Sequence, residues 1–198
     1  MQFLSRVGDF MALNVIWLIF SIPIVTIGVS TTAYYYCMMK IVRGTDSGIF
    51  AMFFKSFKEN LKQGIWILLI IMTVTGFLGM DLWICKQLGG QIFGIIEILL
   101  YAMLGLMLVL VLYVFPVLAQ FENTIKNTIR NAFMMGISHV GKTFLIIIIN
   151  LLPIAFVFFA PYYFILSLPI WALGGTSVFV FLNAKIFTKI FDKYIVNR

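Results

Sequence analysis

Residues 64–118 read GIWILLIIMTVTGFLGMDLWICKQLGGQIFGIIEILLYAMLGLMLVLVLYVFPVL. This stretch decides the fold. Its charged residues are Asp81, Lys86 and Glu97, and a Gly89-Gly90 pair lies near its middle. A helix crossing the ~30 Å hydrocarbon core needs about 20 apolar residues. The stretch holds two such segments, 64–85 and 92–118, joined by the short link 86–91. It reads as a transmembrane helical hairpin.

Two further segments downstream meet the same test, 143–166 and 171–190, with 167–170 as their expected link. Composition agrees, with 63% hydrophobic and 11% charged residues. Soluble domains average about 45–50% and 25% respectively. No small-residue cleavage site follows the first apolar run, so the apolar segments are expected to remain in the bilayer.

The basic residues give an orientation. Of 14 Lys and Arg, 12 fall in the stretches 40–63, 119–142 and 184–198. Lys and Arg are retained on the cytoplasmic side. The expectation is a multi-pass protein of the cell membrane, C-terminus on the cytoplasmic side. The net charge of +7 is therefore no sign of nucleic-acid binding. Trp66, Trp83 and Trp171 fall at the edges of their segments, where indole rings favour the headgroup zone.

The two intervening basic stretches read as amphipathic helices on the cytoplasmic side. In 49–62, Phe50, Phe53, Phe54, Phe57 and Leu61 form one stripe, with Lys55, Lys58, Glu59 and Lys62 elsewhere on the wheel. In 122–141, Ile125, Ile129, Ala132, Phe133, Gly136, Ile137 and Val140 form another. The expected class is all-α: a polytopic bundle of four continuous spanning helices, a broken N-terminal hydrophobic hairpin and two surface helices. It forms one membrane domain over 1–198, organised as 1–43, 44–118 and 119–198. The last two parts share an order of surface helix then hairpin, which suggests a tandem duplication.

The N-terminal part is apolar over 10–39 but broken by Ser21, Pro23, Thr26 and Gly28. Proline cannot continue the helical ladder. One reading has a helix over 3–22, a turn at 23–28 and a second helix over 29–43, giving six passages. The other has a single kinked helix and five.

Candidate functional residues come from polar groups at membrane depth. Thr26, Ser30 and Thr31 line the broken segment, where unwound backbone serves either a ligand or only a tight turn satisfied by those hydroxyls. Asp81 and Glu97 face one another across the first hairpin. They form either a cation, proton or sugar-hydroxyl site open to the outside, or two carboxylates reaching for the headgroups, Asp81 paired with Lys86. Asn14, Asn150 and Asn183 are amides in apolar helices, serving as interhelical glue or lining a solute path. Cys37 and Cys85 read as apolar filler on opposite sides of the membrane. No nucleophile, metal or phosphate-binding motif is present, so neither catalysis nor a cofactor is expected.

The run Asn14-Val15-Ile16-Trp17-Leu18, then Ser21-Ile22-Pro23-Ile24-Val25-Thr26-Ile27-Gly28, then Ser30-Thr31-Thr32-Ala33-Tyr34-Tyr35-Tyr36, resembles the YesL family of bacterial membrane proteins. So does Phe53-Phe54-Lys55-Ser56-Phe57-Lys58-Glu59-Asn60-Leu61-Lys62-Gln63. The family carries a domain of unknown function, and its members tend to be encoded beside carbohydrate ABC importers. The resemblance implies an accessory or regulatory partner of such an importer, in contact with membrane lipids and permease subunits. It supplies no catalytic or ligand residues. A small channel or secondary transporter acting as a homo-oligomer is the alternative.

Overall fold

The structure, a computed structural model, describes residues 2–195. Arg198, the last charge of the C-terminal basic stretch, lies outside them. The described chain is all-α: α1 Gln2–Ser21, a single 3₁₀ turn Ile24–Thr26, α2 Ile27–Arg43, α3 Ile49–Leu88, α4 Gln91–Gln120, α5 Ile125–Ser138, α6 Val140–Phe159 and α7 Pro161–Ile170. A wide turn at Trp171–Gly175 leads into α8 Thr176–Ile195. Four stretches are long and apolar enough to span a bilayer: Ile49–Leu88, Gln91–Gln120, Val140–Phe159 and Pro161–Ile195. The fold is a polytopic transmembrane helical bundle.

The N-terminal segment is a hairpin rather than one kinked helix. Pro23 lacks an amide proton, so α1 stops at Ser21. The chain reverses through the 3₁₀ turn, and α2 returns beside α1. Trp17 Nε1 donates to Thr31 Oγ1 at 3.2 Å, and its ring stacks on Tyr34 at 5.7 Å. At the opposite end of the pair, Arg6 donates to Asp46 at 2.8 Å. That guanidinium holds the Asp46 carboxyl below the usual carboxylate range. α2 ends at Gly44, whose φ of 66° gives the left-handed cap that returns its amide to the Lys40 and Ile41 carbonyls.

α2 is the central helix, with Val29, Ala33, Tyr34, Cys37, Met38 and Met39 essentially inaccessible. It packs most extensively on α3 and also on α4 and α8. Where α2 begins, Gly28 meets α3 and α4. A Cβ on Gly28 would lie 2.6 Å from the Phe115 ring and 3.0 Å from the Gly64 carbonyl. A Cβ on Gly64 would lie 2.8 Å from Val29 Cγ2. The two glycines allow backbones to touch where three helices cross.

That crossing corrects one expectation. The amphipathic stretch 49–62 is no separate surface helix but the opening third of the 40-residue α3. Gly64 is locked into the crossing and does not interrupt the helix. The aromatic stripe packs against the bundle: Phe53 is fully buried, and the Phe20 ring sits 5.3 Å from Phe54 and 5.1 Å from Phe57. At about 1.5 Å per residue, α3 is ~60 Å long. Its outer end packs on α4 around a small core of Leu78, Leu82, Cys85 and Leu100. Gly89 and Gly90, with φ of 63° and 95°, turn the hairpin.

The second hairpin is also displaced. The expected link 167–170 is helical, held by Ser167 Oγ donating to the Phe164 carbonyl and by Trp171 Nε1 donating to Ser167 Oγ. The chain breaks instead at Ala160 (φ −140°, ψ 57°), because Pro161 suits only the first position of a new helix. A second kink falls at Gly174. The third spanning helix thus ends at Phe159 rather than 166, and the fourth begins at Pro161 rather than 171.

The three basic stretches meet at one pole. Arg43 of the first donates to Gln120 Oε1 of the second at 2.7 Å and to Asp192 of the third at 2.8 Å. His139 stacks edge-on against Tyr194, 5.9 Å between centroids. Both cysteines are free and buried, Cys37 in the main core and Cys85 in the small hairpin core.

Candidate functional site

Two backbone breaks, at residues 21–26 and 171–175, interrupt the apolar helices. In an apolar surrounding each freed carbonyl must find a donor. At the first, the Phe20 carbonyl accepts from Thr26 Oγ1 (2.7 Å) and Ser30 Oγ (2.9 Å), while Thr26 Oγ1 also reaches the Pro23 carbonyl. At the second, Asn14 Nδ2 donates to the Trp171 carbonyl (2.8 Å) and the Ala172 carbonyl (2.7 Å). Asn14 Oδ1 accepts from Thr176 Oγ1 and from the Tyr34 hydroxyl. Tyr34 also lies 2.6 Å from Ser177 Oγ, which donates to the Phe10 carbonyl. One buried polar network thereby ties α1, α2 and α8 together.

Beside this network lies a cavity of about 440 Å³. Its walls come from α1 (Trp17), α2 (Thr31, Tyr34, Tyr35), α6 (Asn150, Pro153, Ile154, Val157), α7 (Phe164), the wide turn (Trp171) and α8 (Thr176, Phe179, Val180). No charged side chain lines it. Its aromatic walls are prearranged, with Trp171 stacked on Phe179 at 5.5 Å. Asn150 Nδ2 donates to the Ile146 carbonyl at 2.7 Å, which leaves Asn150 Oδ1 as an acceptor in an apolar wall.

The residues singled out from sequence divide three ways. Thr31 and Asn150, 119 positions apart in sequence, share this cavity. Thr26 and Ser30 do not line it; their hydroxyls are engaged by the hairpin turn. Asp81 and Glu97 lie far out on the α3–α4 hairpin, Asp81 exposed and Glu97 half-buried. Among the described residues no hydrogen bond or ion pair joins them, and Lys86 sits over the Tyr101 ring at 5.8 Å. Of the membrane amides, Asn14 is interhelical glue. Asn183 is fully buried, and both its amide atoms lack a hydrogen-bond partner of good geometry.

A second cavity, about 810 Å³ and polar, escaped the sequence reading. It lies at the basic pole between Ser56–Gln63 of α3 and the α4–α5 link, with Tyr36 and Phe121 beside Asn60, Gln63, Gln120, Asn123 and Asn127. Gln63 Nε2 donates to the Asn123 carbonyl at 3.0 Å and closes one side. The available signal was the concentration of carboxamides at the ends of two basic stretches, which charge counting passes over.

Two comparisons with known proteins find relatives of this chain. A family model described as a protein of unknown function, DUF624, matches residues 10–82, from α1 through most of α3. The uncharacterized protein YesL of Bacillus subtilis (strain 168) is 30% identical over 137 residues. That alignment covers 67% of this chain and 64% of YesL, so it spans just under two thirds of the relative's length. No solved structure matches. The matched segment contains the Pro23 turn, the Gly28–Gly64 crossing and the buried α2, the features on which the architecture rests, and the chain belongs to the YesL family.

Proposed function

We propose that the chain is a non-enzymatic interaction protein of the bacterial cytoplasmic membrane. In this reading it docks on the permease helices of a carbohydrate ABC importer and assists the importer's assembly or regulation. The carbohydrate link is what the family resemblance implies. The observation that carries an interaction role is the α3–α4 hairpin. Its outer face includes Gly76 and Gly79, and a Cβ at either would meet nothing within 4 Å. Glycine inside a helix costs about 1 kcal/mol relative to alanine. In lipid that cost is offset where a second helix approaches closely, since packing rather than hydrophobicity drives helix association there. Phe77, Met80 and Trp83, each more than 60% exposed, flank the glycines with large apolar contact area.

The meeting of the basic stretches around Arg43 supports a shared cytoplasmic side for the α2, α4 and α8 ends. A solute path through the broken N-terminal segment draws less support, because the hydroxyls of Thr26 and Ser30 are spent on the Phe20 carbonyl.

Gentle solubilisation of the tagged chain at native expression, followed by mass spectrometry, tests the proposal. Permease subunits should co-purify, and Gly79→Leu should deplete them without lowering the chain's own thermal midpoint. Repeated recovery of the chain free of permease subunits sinks it.

A further inference from the structure

The cavity between α1, α2, α6 and α8 has no part in the interaction role, and its chemistry is specific. We propose that it binds a neutral, hydroxyl-bearing single-chain amphiphile, such as a monoacylglycerol or a long-chain alcohol, drawn from the surrounding bilayer. Four observations carry this.

First, the volume of about 440 Å³ lies within the range of preformed small-molecule sites, ~300–1,000 Å³. Second, the lining contains no Lys, Arg, His, Asp or Glu, so nothing complements a phosphate or other charged headgroup. Third, the wall is apolar and aromatic but carries Asn150 Oδ1, left free when Asn150 Nδ2 is engaged at Ile146. A hydroxyl on the ligand supplies the donor that this acceptor lacks. Fourth, a hydrogen-bonding deficit lies behind the Tyr35 wall. Asn183 is fully buried, and neither of its amide atoms has a hydrogen bond of good geometry, although the Tyr35 hydroxyl is in its neighbourhood. An unsatisfied buried amide is a net cost to the fold. A ligand hydroxyl received by Tyr35 would draw the phenol into a proper hydrogen-bonded chain with Asn183.

The entrance faces hydrocarbon, since Ile154 and Val157 both line the cavity and are exposed on α6. A chain can therefore enter laterally without leaving the bilayer.

Intrinsic fluorescence tests this directly. The chain's tryptophans are Trp17, Trp66, Trp83 and Trp171. Trp17 and Trp171 line the cavity, whereas Trp66 and Trp83 are on the outside. The full chain with Trp66→Phe and Trp83→Phe, reconstituted in dioleoylphosphatidylcholine vesicles, thus reports from the cavity. Dibrominated monooleoylglycerol should quench it saturably at low mole fraction, and dibrominated phosphatidylcholine only in proportion to its abundance. Val157→Phe, which fills the entrance, should abolish the saturable component. Asn150→Leu, which keeps the apolar volume, should weaken it about tenfold, the equivalent of one lost hydrogen bond. Unchanged helicity by circular dichroism establishes that each variant is folded. Quenching that is linear and equal for both lipids overturns the proposal. So does saturation by the phosphocholine lipid, or a saturable component that survives Val157→Phe.

Discussion

Asn14 Nδ2 donates to the carbonyl of Trp171 at 2.8 Å, across 157 positions of sequence. The amide of the first helix thus satisfies a carbonyl set free by the wide turn before the last. Neither break in the apolar backbone is stable without side chains to complete it, and this second one is completed from the opposite end of the chain.

Replacing Asn14 with Leu keeps the volume but removes the donor to the Trp171 and Ala172 carbonyls and the acceptor for the Thr176 hydroxyl, while Tyr34 keeps Ser177. The expected loss is about 1–3 kcal/mol, the cost of leaving buried polar groups unpaired. Thermal unfolding in detergent, followed by tryptophan emission, should show a lowered midpoint, with the emission of Trp17 and Trp171 shifting first.

Gly28 and Gly64 should tolerate no side chain. Alanine at either position meets atoms within 3 Å, and overpacking of this kind costs about 1–3 kcal/mol. Alanine at Gly76 meets nothing, and it should be neutral or slightly stabilising through helix propensity. Comparing the three midpoints checks the crossing. Equal tolerance at Gly28 and Gly76 would contradict it.

The hydroxyls of the N-terminal turn should act together. In the double variant Thr26→Val with Ser30→Ala, the Phe20 carbonyl loses both of its side-chain donors. We expect a destabilisation larger than either single change, about 1–3 kcal/mol in total. Hydrogen exchange should rise locally around residues 20–30. An additive pair of near-zero effects would show that the hydroxyls do not hold the turn.

The Arg6–Asp46 pair predicts a modest acid sensitivity. Because Asp46 titrates below its ordinary value when folded, its contribution is complete above the ordinary Asp range and fades as pH falls through the depressed value. The pair is partly exposed, so the effect is under about 1 kcal/mol and weakens with salt. The midpoint difference between the wild-type chain and Asp46→Asn should shrink from pH 6 to pH 3. A difference that grows on acidification would reverse the assignment.

Much of the architecture is legible in local sequence because hydrophobic length and proline chemistry are local. The α3–α4 hairpin reads directly from residues 64–118, and Pro23 marks a break, although the sequence leaves open whether it makes a turn or a kink. The reading fails where a local signal is ambiguous. Lys62 and Gly64 look like the end of a surface helix, yet the backbone runs straight on because Val29 and Gly28 seal the glycine. Residues 167–170 look like a link, since Ser167 and Pro169 disfavour helix. Pro161 had already supplied the turn, and Ser167 back-bonds within α7. The polar cavity joins Tyr36 to Asn123, a pairing that no periodicity encodes.

By itself, then, the sequence determined that this is an all-helical membrane protein with lipid-length spans and basic stretches kept apart from them, because burial of apolar length and retention of charge depend only on composition along the chain. Only the tertiary structure decided which polar groups meet. Asn14 reaches Trp171, Arg43 bridges Gln120 and Asp192, and Thr31 shares a cavity with Asn150, because hydrogen bonds and cavities are set by how helices cross. Helix crossing is governed by a few close approaches such as Gly28 on Gly64, whose partners the linear order does not name.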